Sequence, residues 1–114
     1  MKKISFLLMG AILFSNSQIS YASNDVLMKE LVIKEHRFHP NELSLPAGKK
    51  IKLIIKNEDS TVEEFESFDL KREKIIPAGG EIKVNIGPLK AGEYKFFGEF
   101  HEATAQGIIK VVEN

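Results

Sequence analysis

The chain of 114 residues contains no cysteine and carries no net charge. Without cysteine it can form no disulfide framework, and it lacks the residue that is lipidated in bacterial lipoproteins. Sixteen basic residues balance sixteen acidic residues, which argues against a nucleic-acid-binding protein, because such proteins present a basic face to the phosphates. The length accommodates one ordinary domain.

Residues 1–22 have the pattern of a cleaved secretory signal peptide. Two lysines at positions 2 and 3 precede an apolar run from Ile4 to Phe14, and small residues at Ser20 and Ala22 fit the −3 and −1 positions of a cleavage site. The apolar run is shorter than the ~20 residues of a membrane-spanning helix. We therefore expect residues 23–114 to form a domain exported to a bacterial periplasm; an uncleaved membrane anchor is the alternative.

Short segments in which apolar and polar residues alternate follow one another along the rest of the chain. In the clearest of these segments, Ile51, Leu53 and Ile55 alternate with lysines at positions 50, 52 and 56. Pro-Ala-Gly turns occur at residues 46–48 and 77–79. Strands are predicted at residues 26–34, 43–45, 51–55, 62–70, 82–86, 94–100 and 108–112. No window after the signal peptide has a helical period, so the pattern predicts an all-β sandwich or barrel.

Residues 35–40 are predicted to form a bend, because Pro40 restricts the preceding residue and cannot donate to a strand ladder. His36 and His39 lie three residues apart in this bend. They are a secondary metal-binding candidate, with two surface histidines as the favoured interpretation. The aromatic residues expected in the core are Phe38, Phe65, Tyr94, Phe96 and Phe100.

Two runs of spaced residues carry a family resemblance. The first is Phe38, Pro40, Leu43, Leu45, Pro46, Ala47, Gly48, Ile51, Leu53, Ile55 and Asn57; the second is Gly92, Tyr94, Phe96, Gly98 and His101, continued by Gly107, Ile109 and Val111. Together they cover nearly all of the chain after residue 22 and resemble the two halves of a cupredoxin. The resemblance implies a Greek-key cupredoxin-like β-sandwich of about seven strands.

The copper site of a blue cupredoxin is not retained. Such a site takes two histidines, a cysteine thiolate and a weak axial ligand that is often methionine. The position of the cysteine matches Gly98, and the position of the first histidine falls within residues 61–64, where this chain has Glu63 and Glu64 instead. The second histidine is retained as His101, and residues 98–107 contain no methionine. The chain is therefore not expected to be a type 1 blue-copper electron carrier, and its remaining ligands favour iron or divalent copper.

Residues 64–67, 73–79 and 97–101 look closer to one branch, the small periplasmic cupredoxin-like proteins of bacterial iron-uptake systems. These are similar to the N-terminal domain of the periplasmic component of the ferrous-iron importer. The resemblance implies a carboxylate ligand at Glu64 and, as partners, an inner-membrane iron permease and a periplasmic iron-binding protein. That domain's two cysteine ligands match Phe38 and Gly98, so this chain lacks both of them.

The predicted ligands of an iron or copper ion are His101, Glu64, Glu66 and Glu99. Glu64 and Glu66 are two residues apart in a strand and therefore share a face, and the fold would bring the 99–102 loop beside them. A solvated acidic patch is the alternative. Glu63 is a neighbouring candidate that shares the inward parity of Phe65, where an unpaired carboxylate would be costly.

Three functions remain in competition. The first is a metal-handling protein that delivers the ion to an iron permease or assists Fe(II) oxidation. The second is a metal-free cupredoxin-fold module that docks onto a transport complex. The third, a ferroxidase in its own right, is the least favoured. No catalytic triad or glycine-rich phosphate loop is recognisable, so an enzyme is not indicated.

Overall fold

The computed structural model describes residues 25–113. The signal peptide predicted at residues 1–22 therefore lies outside the described residues. Within them the chain forms nine strands: β1 Leu27–Lys34, β2 Arg37–His39, β3 Glu42–Pro46, β4 Ile51–Asn57, β5 Glu63–Ser67, β6 Arg72–Ile76, β7 Glu81–Ile86, β8 Gly92–Phe97 and β9 Gln106–Val112. A 3-10 turn at Glu99–His101 lies between β8 and β9.

The strands form two sheets. One has four strands in the order β2-β1-β4-β7, and the other has five in the order β3-β9-β8-β5-β6. The pairs β1–β4 and β3–β9 are parallel, whereas the other described pairs are antiparallel. This confirms the predicted all-β sandwich, with nine strands in place of about seven. The additional strands are β2, which lies in the predicted bend, and β6.

The core lies between the two sheets. In β4 the alternating residues Ile51, Leu53 and Ile55 are buried, as the sequence pattern predicts. From the five-stranded sheet, Phe65 and Phe96 point inward and are buried as well. The ring of Phe38 packs edge-on against both, with centroid distances of 6.2 and 4.9 Å.

The two remaining aromatic residues that were expected in the core differ from the prediction. Tyr94 is half-buried, and Phe100 is 45% exposed. Phe100 lies in the 3-10 turn, so the strand parity that it would share with Phe96 no longer applies. Residues 25–113 include no helix with the length and apolarity of a membrane span.

Candidate metal centre

Glu63 is the buried centre of a three-residue cluster. It is the first residue of β5, and its exposed fraction is 0%. Nδ1 of His36 lies 2.7 Å from its Oε2 atom, and Nδ1 of His101 lies 3.1 Å from Oε1 and 3.0 Å from Oε2. The hydroxyl of Thr61 donates a longer bond of 3.4 Å to Oε2. Both carboxylate oxygens therefore face imidazole nitrogens.

His36 reaches Glu63 from a tight hairpin turn between β1 and β2. Lys34 pairs with Arg37, so the turn consists of two residues, Glu35 and His36. Both have left-handed backbone angles, with φ values of 54° and 59°. Asp59 accepts hydrogen bonds from the amides of both turn residues, at 2.7 and 3.0 Å.

His101 reaches the same carboxylate from the five-stranded sheet, to which Glu63 also belongs. It is the last residue of the 3-10 turn that follows β8. Its ring stacks on that of His36, with a centroid distance of 3.5 Å and an interplanar angle of 15°. The side chains of His36 and His101 are 41% and 32% exposed, whereas that of Glu63 is 1% exposed. The cluster is thus a pair of rim imidazoles above a buried carboxylate.

The geometry of this cluster suits a cation. The ligand atoms of His36, Glu63 and His101 lie within 4.8 Å of one another. Two imidazole nitrogens and a carboxylate form an N/O set of the kind that holds iron, zinc or divalent copper. Ligand atoms at ~2.0–2.2 Å from one ion lie roughly 3 Å apart in an octahedral arrangement and about 3.5 Å apart in a tetrahedral one, and the observed separations are at the short end of this range. The same separations also fit Nδ1–H···O hydrogen bonds, which would satisfy the Glu63 oxygens when no ion is bound.

Three of the four predicted ligands are brought together, but in a different cluster. Oxygens of Glu64, Glu66 and Glu99 lie within 4.8 Å of one another and of an oxygen of Glu73. Glu64 is 2% exposed, and its Oε1 atom accepts a hydrogen bond of 2.8 Å from the amide of Glu99. These residues form the second cluster, the four-glutamate cluster, and the proposal that they bind metal stays a prediction.

Burial dominates the electrostatics of the four-glutamate cluster. The pKa of Glu64 is raised to about 7: burial is the largest cause, the hydrogen bond from the Glu99 amide opposes it, and the side chains of Glu73, Glu66 and Glu99 add to the rise. Burial and then the charge of Glu73 also raise the pKa of Glu66. A carboxylate of this kind is protonated at a pH where an ordinary glutamate is ionised.

The fourth predicted ligand, His101, lies with Glu63 and His36 and not with the glutamates. The inward orientation of Glu63 follows from its parity with Phe65, which the sequence showed. His36 was a secondary metal-binding candidate paired with His39, but the sequence could not place it beside Glu63, because its position depends on a left-handed turn without glycine. His39, the other member of the secondary candidate pair, lies apart from Glu63; its Nε2 atom is 3.3 Å from the carbonyl oxygen of Lys34.

Gly98, which the cupredoxin resemblance matches to the cysteine ligand, is closely surrounded. A Cβ atom added there would lie 2.8 Å from the carbonyl oxygen of Glu64 and 3.1 Å from Cβ of Ala105. The backbone of β5 therefore occupies the space that a side chain at residue 98 would need. The packing around residue 98 therefore suits glycine and leaves no room for a cysteine side chain.

Residues 4–111 match the model of the cupredoxin-like domain family. An uncharacterised protein of Rickettsia prowazekii (strain Madrid E) is 42% identical over 108 residues, which cover 95% of this chain and 86% of the relative. Both matches cover nearly the whole chain.

Similar solved structures include two copper proteins. Auracyanin A, a blue copper protein from the green thermophilic photosynthetic bacterium Chloroflexus aurantiacus, superposes with a TM-score of 0.67 at 15% identity, over 77% of this chain and 100% of its own. The metal-binding domain of the Cu(I)-exporting P-type ATPase CopA of Streptococcus pneumoniae D39, solved with Cu(I), gives a TM-score of 0.64 at 15% identity, over 78% and 97%. At these identities the likeness shows a shared fold.

Proposed function

Because the chain belongs to the cupredoxin-like domain family, we propose that it is an exported domain that holds an iron or copper ion on His36, Glu63 and His101. The observation that carries this proposal is the buried carboxylate of Glu63, which has an imidazole Nδ1 atom within 3.1 Å of each of its oxygens. A buried carboxylate needs a compensating partner, and a divalent cation between these three groups would supply it.

The donor set supports a hard or borderline ion. Two imidazoles and a carboxylate suit iron or divalent copper better than cuprous copper, which prefers thiolate and thioether ligands. Two similar structures are copper proteins by description, one with Cu(I) bound. The absence of cysteine separates this chain from a thiolate-based blue-copper carrier.

The exposure of the two imidazoles supports a role in handling the ion as cargo. His36 and His101 lie at the surface, so an ion bound to them would remain accessible to a partner. Three protein ligands leave further coordination positions for water or for a partner's ligand. This fits delivery of the ion better than permanent burial.

The iron-uptake context rests on the resemblance of residues 64–67, 73–79 and 97–101 to periplasmic proteins of bacterial iron-uptake systems. In this proposal the domain delivers the ion to an inner-membrane iron permease or a periplasmic iron-binding partner, or assists Fe(II) oxidation before transport. Oxygen consumption by the protein with Fe(II) tests the oxidation role. A rate equal to that of the buffer blank removes that role.

The periplasmic location rests on residues 1–22. Cleavage after Ala22 gives a periplasmic protein that begins at Ser23. We expect the intact mass of protein from a periplasmic extract to equal that of residues 23–114. The mass of the uncleaved chain would contradict the proposed processing.

Calorimetric titration of the purified protein with Cu(II), Fe(II) and Fe(III) tests the metal site. We expect micromolar or tighter binding of at least one ion, and a loss of that binding in Glu63→Gln and His101→Ala. His39→Gln is the matched control, because His39 is an exposed histidine outside the cluster, and it should bind as the unaltered protein does. Circular dichroism checks that each variant is folded.

Two other results would change the conclusion. Loss of binding in Glu64→Gln, with binding retained in Glu63→Gln, would move the ion to the four-glutamate cluster. No heat with any ion would leave the second candidate function, a metal-free docking module. That alternative is favoured by the exposed ring of Phe68, which is 74% exposed and lies 5.4 Å from the ring of Phe97.

A further inference from the structure

The turn that carries His36 has a backbone conformation that its own residues disfavour. Glu35 and His36 are consecutive non-glycine residues with φ values of 54° and 59°. Two-residue hairpin turns with two positive φ angles normally use Asn-Gly or a similar pair, because glycine tolerates this region. Such a conformation persists when the surrounding structure enforces it. A group outside the turn must therefore hold it.

Asp59 is that group. Its Oδ1 atom accepts a hydrogen bond of 2.7 Å from the Glu35 amide, and its Oδ2 atom accepts one of 3.0 Å from the His36 amide. One carboxylate thus engages both amides of the turn. Charge-assisted bonds of this kind are stronger than those between neutral groups.

Asp59 is itself fixed to the core. Its amide donates to the Oδ1 atom of Asn57 at 2.9 Å, and its carbonyl oxygen accepts a bond of 3.2 Å from the amide of Gly79. Asn57 is buried, and its Nδ2 atom donates to the carbonyl oxygens of Thr61 and Ile76 at 2.9 and 3.1 Å. A continuous chain of hydrogen bonds therefore connects the sandwich interior to the turn.

Thr104 ties the same turn to the loop of the second imidazole. Its hydroxyl donates a hydrogen bond of 2.6 Å to the carbonyl oxygen of His36 and lies 3.3 Å from the carbonyl oxygen of His101. Thr104 lies 68 positions after His36 in the chain. Their rings are the stacked pair above Glu63.

We infer that Asp59 and Thr104 are positioning residues that assemble the metal site before the ion arrives. Asp59 holds the Glu35–His36 turn left-handed, and Thr104 fixes that turn against the His101 loop, so that both imidazoles face Glu63. This inference rests on the proposed metal site and adds two residues outside its ligand set. Preorganisation of this kind raises affinity because less conformational freedom is lost on binding.

The role of Asp59 is tested by removing its carboxylate, once in the natural turn and once in a turn that contains glycine. Asp59→Ala should weaken Cu(II) binding by about 10-fold or more, the usual range for groups that orient metal ligands. Glu35→Gly supplies a residue that adopts positive φ without strain. We therefore expect the double variant Asp59→Ala/Glu35→Gly to recover most of the affinity, and Glu35→Gly alone to bind like the unaltered protein.

The recovery separates positioning from direct participation. Asp59 Oδ2 also lies 3.5 Å from Nδ1 of His36, so its charge could act on the imidazole, or the carboxylate could bind the ion. Neither role is restored by a glycine in the turn. An affinity that stays low in the double variant would therefore overturn the inference for Asp59.

A measurement on the metal-free protein keeps this test independent of the proposed function. The ring protons of His36 and His101 should give a nuclear Overhauser effect, because the rings stack at 3.5 Å. We expect this signal in the unaltered protein and in the double variant, and its loss in Asp59→Ala. If the signal is lost in Asp59→Ala and present in the other two proteins, but no metal binds, the proposed function fails and the positioning role of Asp59 stands. A signal that survives in Asp59→Ala overturns the role of Asp59, whatever the metal does.

Thr104→Val and Thr104→Ser test the second part. Valine keeps the shape of threonine but removes the hydroxyl, whereas serine keeps the hydroxyl. We expect Thr104→Val to weaken Cu(II) binding by roughly 10-fold and to weaken the ring–ring signal, and Thr104→Ser to retain both. Thermal unfolding checks that the two variants are equally folded. Equal affinities for Thr104→Val and the unaltered protein would remove Thr104 from the inference.

Discussion

Glu63 and Glu64 are neighbours in β5, and both are buried, yet their side chains meet opposite chemistry. Successive residues of a strand point to opposite faces. Glu63 therefore meets two imidazoles, whereas Glu64 lies among three other carboxylates. The partners of Glu63 can offset its charge, and those of Glu64 increase the free-energy cost of ionisation.

Glu64 should therefore make the protein less stable as the pH rises. Its pKa is raised from 4.5 to about 7 in the folded state, so between these values the folded state binds a proton that the unfolded state has released. The free energy of unfolding then decreases as the pH rises through this window, by at most ~1.4 kcal/mol per pH unit for one proton. Glu64→Gln removes the contribution, since glutamine does not ionise.

Urea unfolding at pH 5, 6, 7 and 8 measures this effect. The stability of Glu64→Gln relative to the unaltered protein should increase from pH 5 to pH 7 and then level off. Glu93→Gln, at an exposed position of β8, is the control and should follow the unaltered protein. A relative stability of Glu64→Gln that declines over this range would contradict the buried, protonated state of Glu64.

Strand alternation explains which site residues the sequence could reveal. It placed Glu64 and Glu66 on one face and Glu63 on the other, and the structure agrees. It could not place His36 beside Glu63. That contact depends on two residues with positive φ, held by an aspartate more than twenty positions away in the chain. No local pattern carries such information.

The strands, too, could be predicted only where the local sequence carries an alternating pattern. β4 and β7 were predicted because their inward residues alternate with polar ones, which is the signal of a half-buried strand. β2 and β6 were missed, and both lie at sheet edges. In β6 only Ile76 is buried, and in β2 only Phe38. Edge strands of this kind show too little alternation to be recognised.

The junction between β8 and the 3-10 turn should not tolerate a side chain at residue 98. A Cβ atom there would lie 2.8 Å from the backbone of Glu64, so β5 or β8 would have to move. We expect Gly98→Ala to lower the free energy of unfolding by about 1–3 kcal/mol, as overpacking of a core does. Chemical denaturation measures this change.

Gly98→Cys tests the same packing with a different measurement. The cupredoxin resemblance matches residue 98 to the blue-copper cysteine, but a thiol there would have no space unless β5 shifts. We expect this variant to be destabilised and to show no intense blue absorption with Cu(II). A stable blue protein would show that the strands yield and that the thiolate site was lost by substitution alone.

At the scale of the whole molecule, the proposed metal centre joins the two sheets. His36 belongs to the β1–β2 hairpin of the four-stranded sheet, whereas Glu63 and His101 belong to β5 and to the connection after β8 in the five-stranded sheet. An ion on these residues would link both layers of the sandwich at one end. In a domain without disulfides, such a link contributes directly to the stability of the fold.

Bound metal should therefore raise the melting temperature. A ligand that binds the folded state alone, at 100 times its Kd, stabilises that state by about 2.7 kcal/mol. For a domain of this size each kcal/mol corresponds to roughly 4–8 °C, so we expect a rise of about 10–20 °C with Cu(II), reversed by EDTA. His39→Gln should show the full rise and Glu63→Gln none. An equal rise in Glu63→Gln would mean that the ion stabilises the fold from elsewhere, and the four-glutamate cluster would then be the site to test.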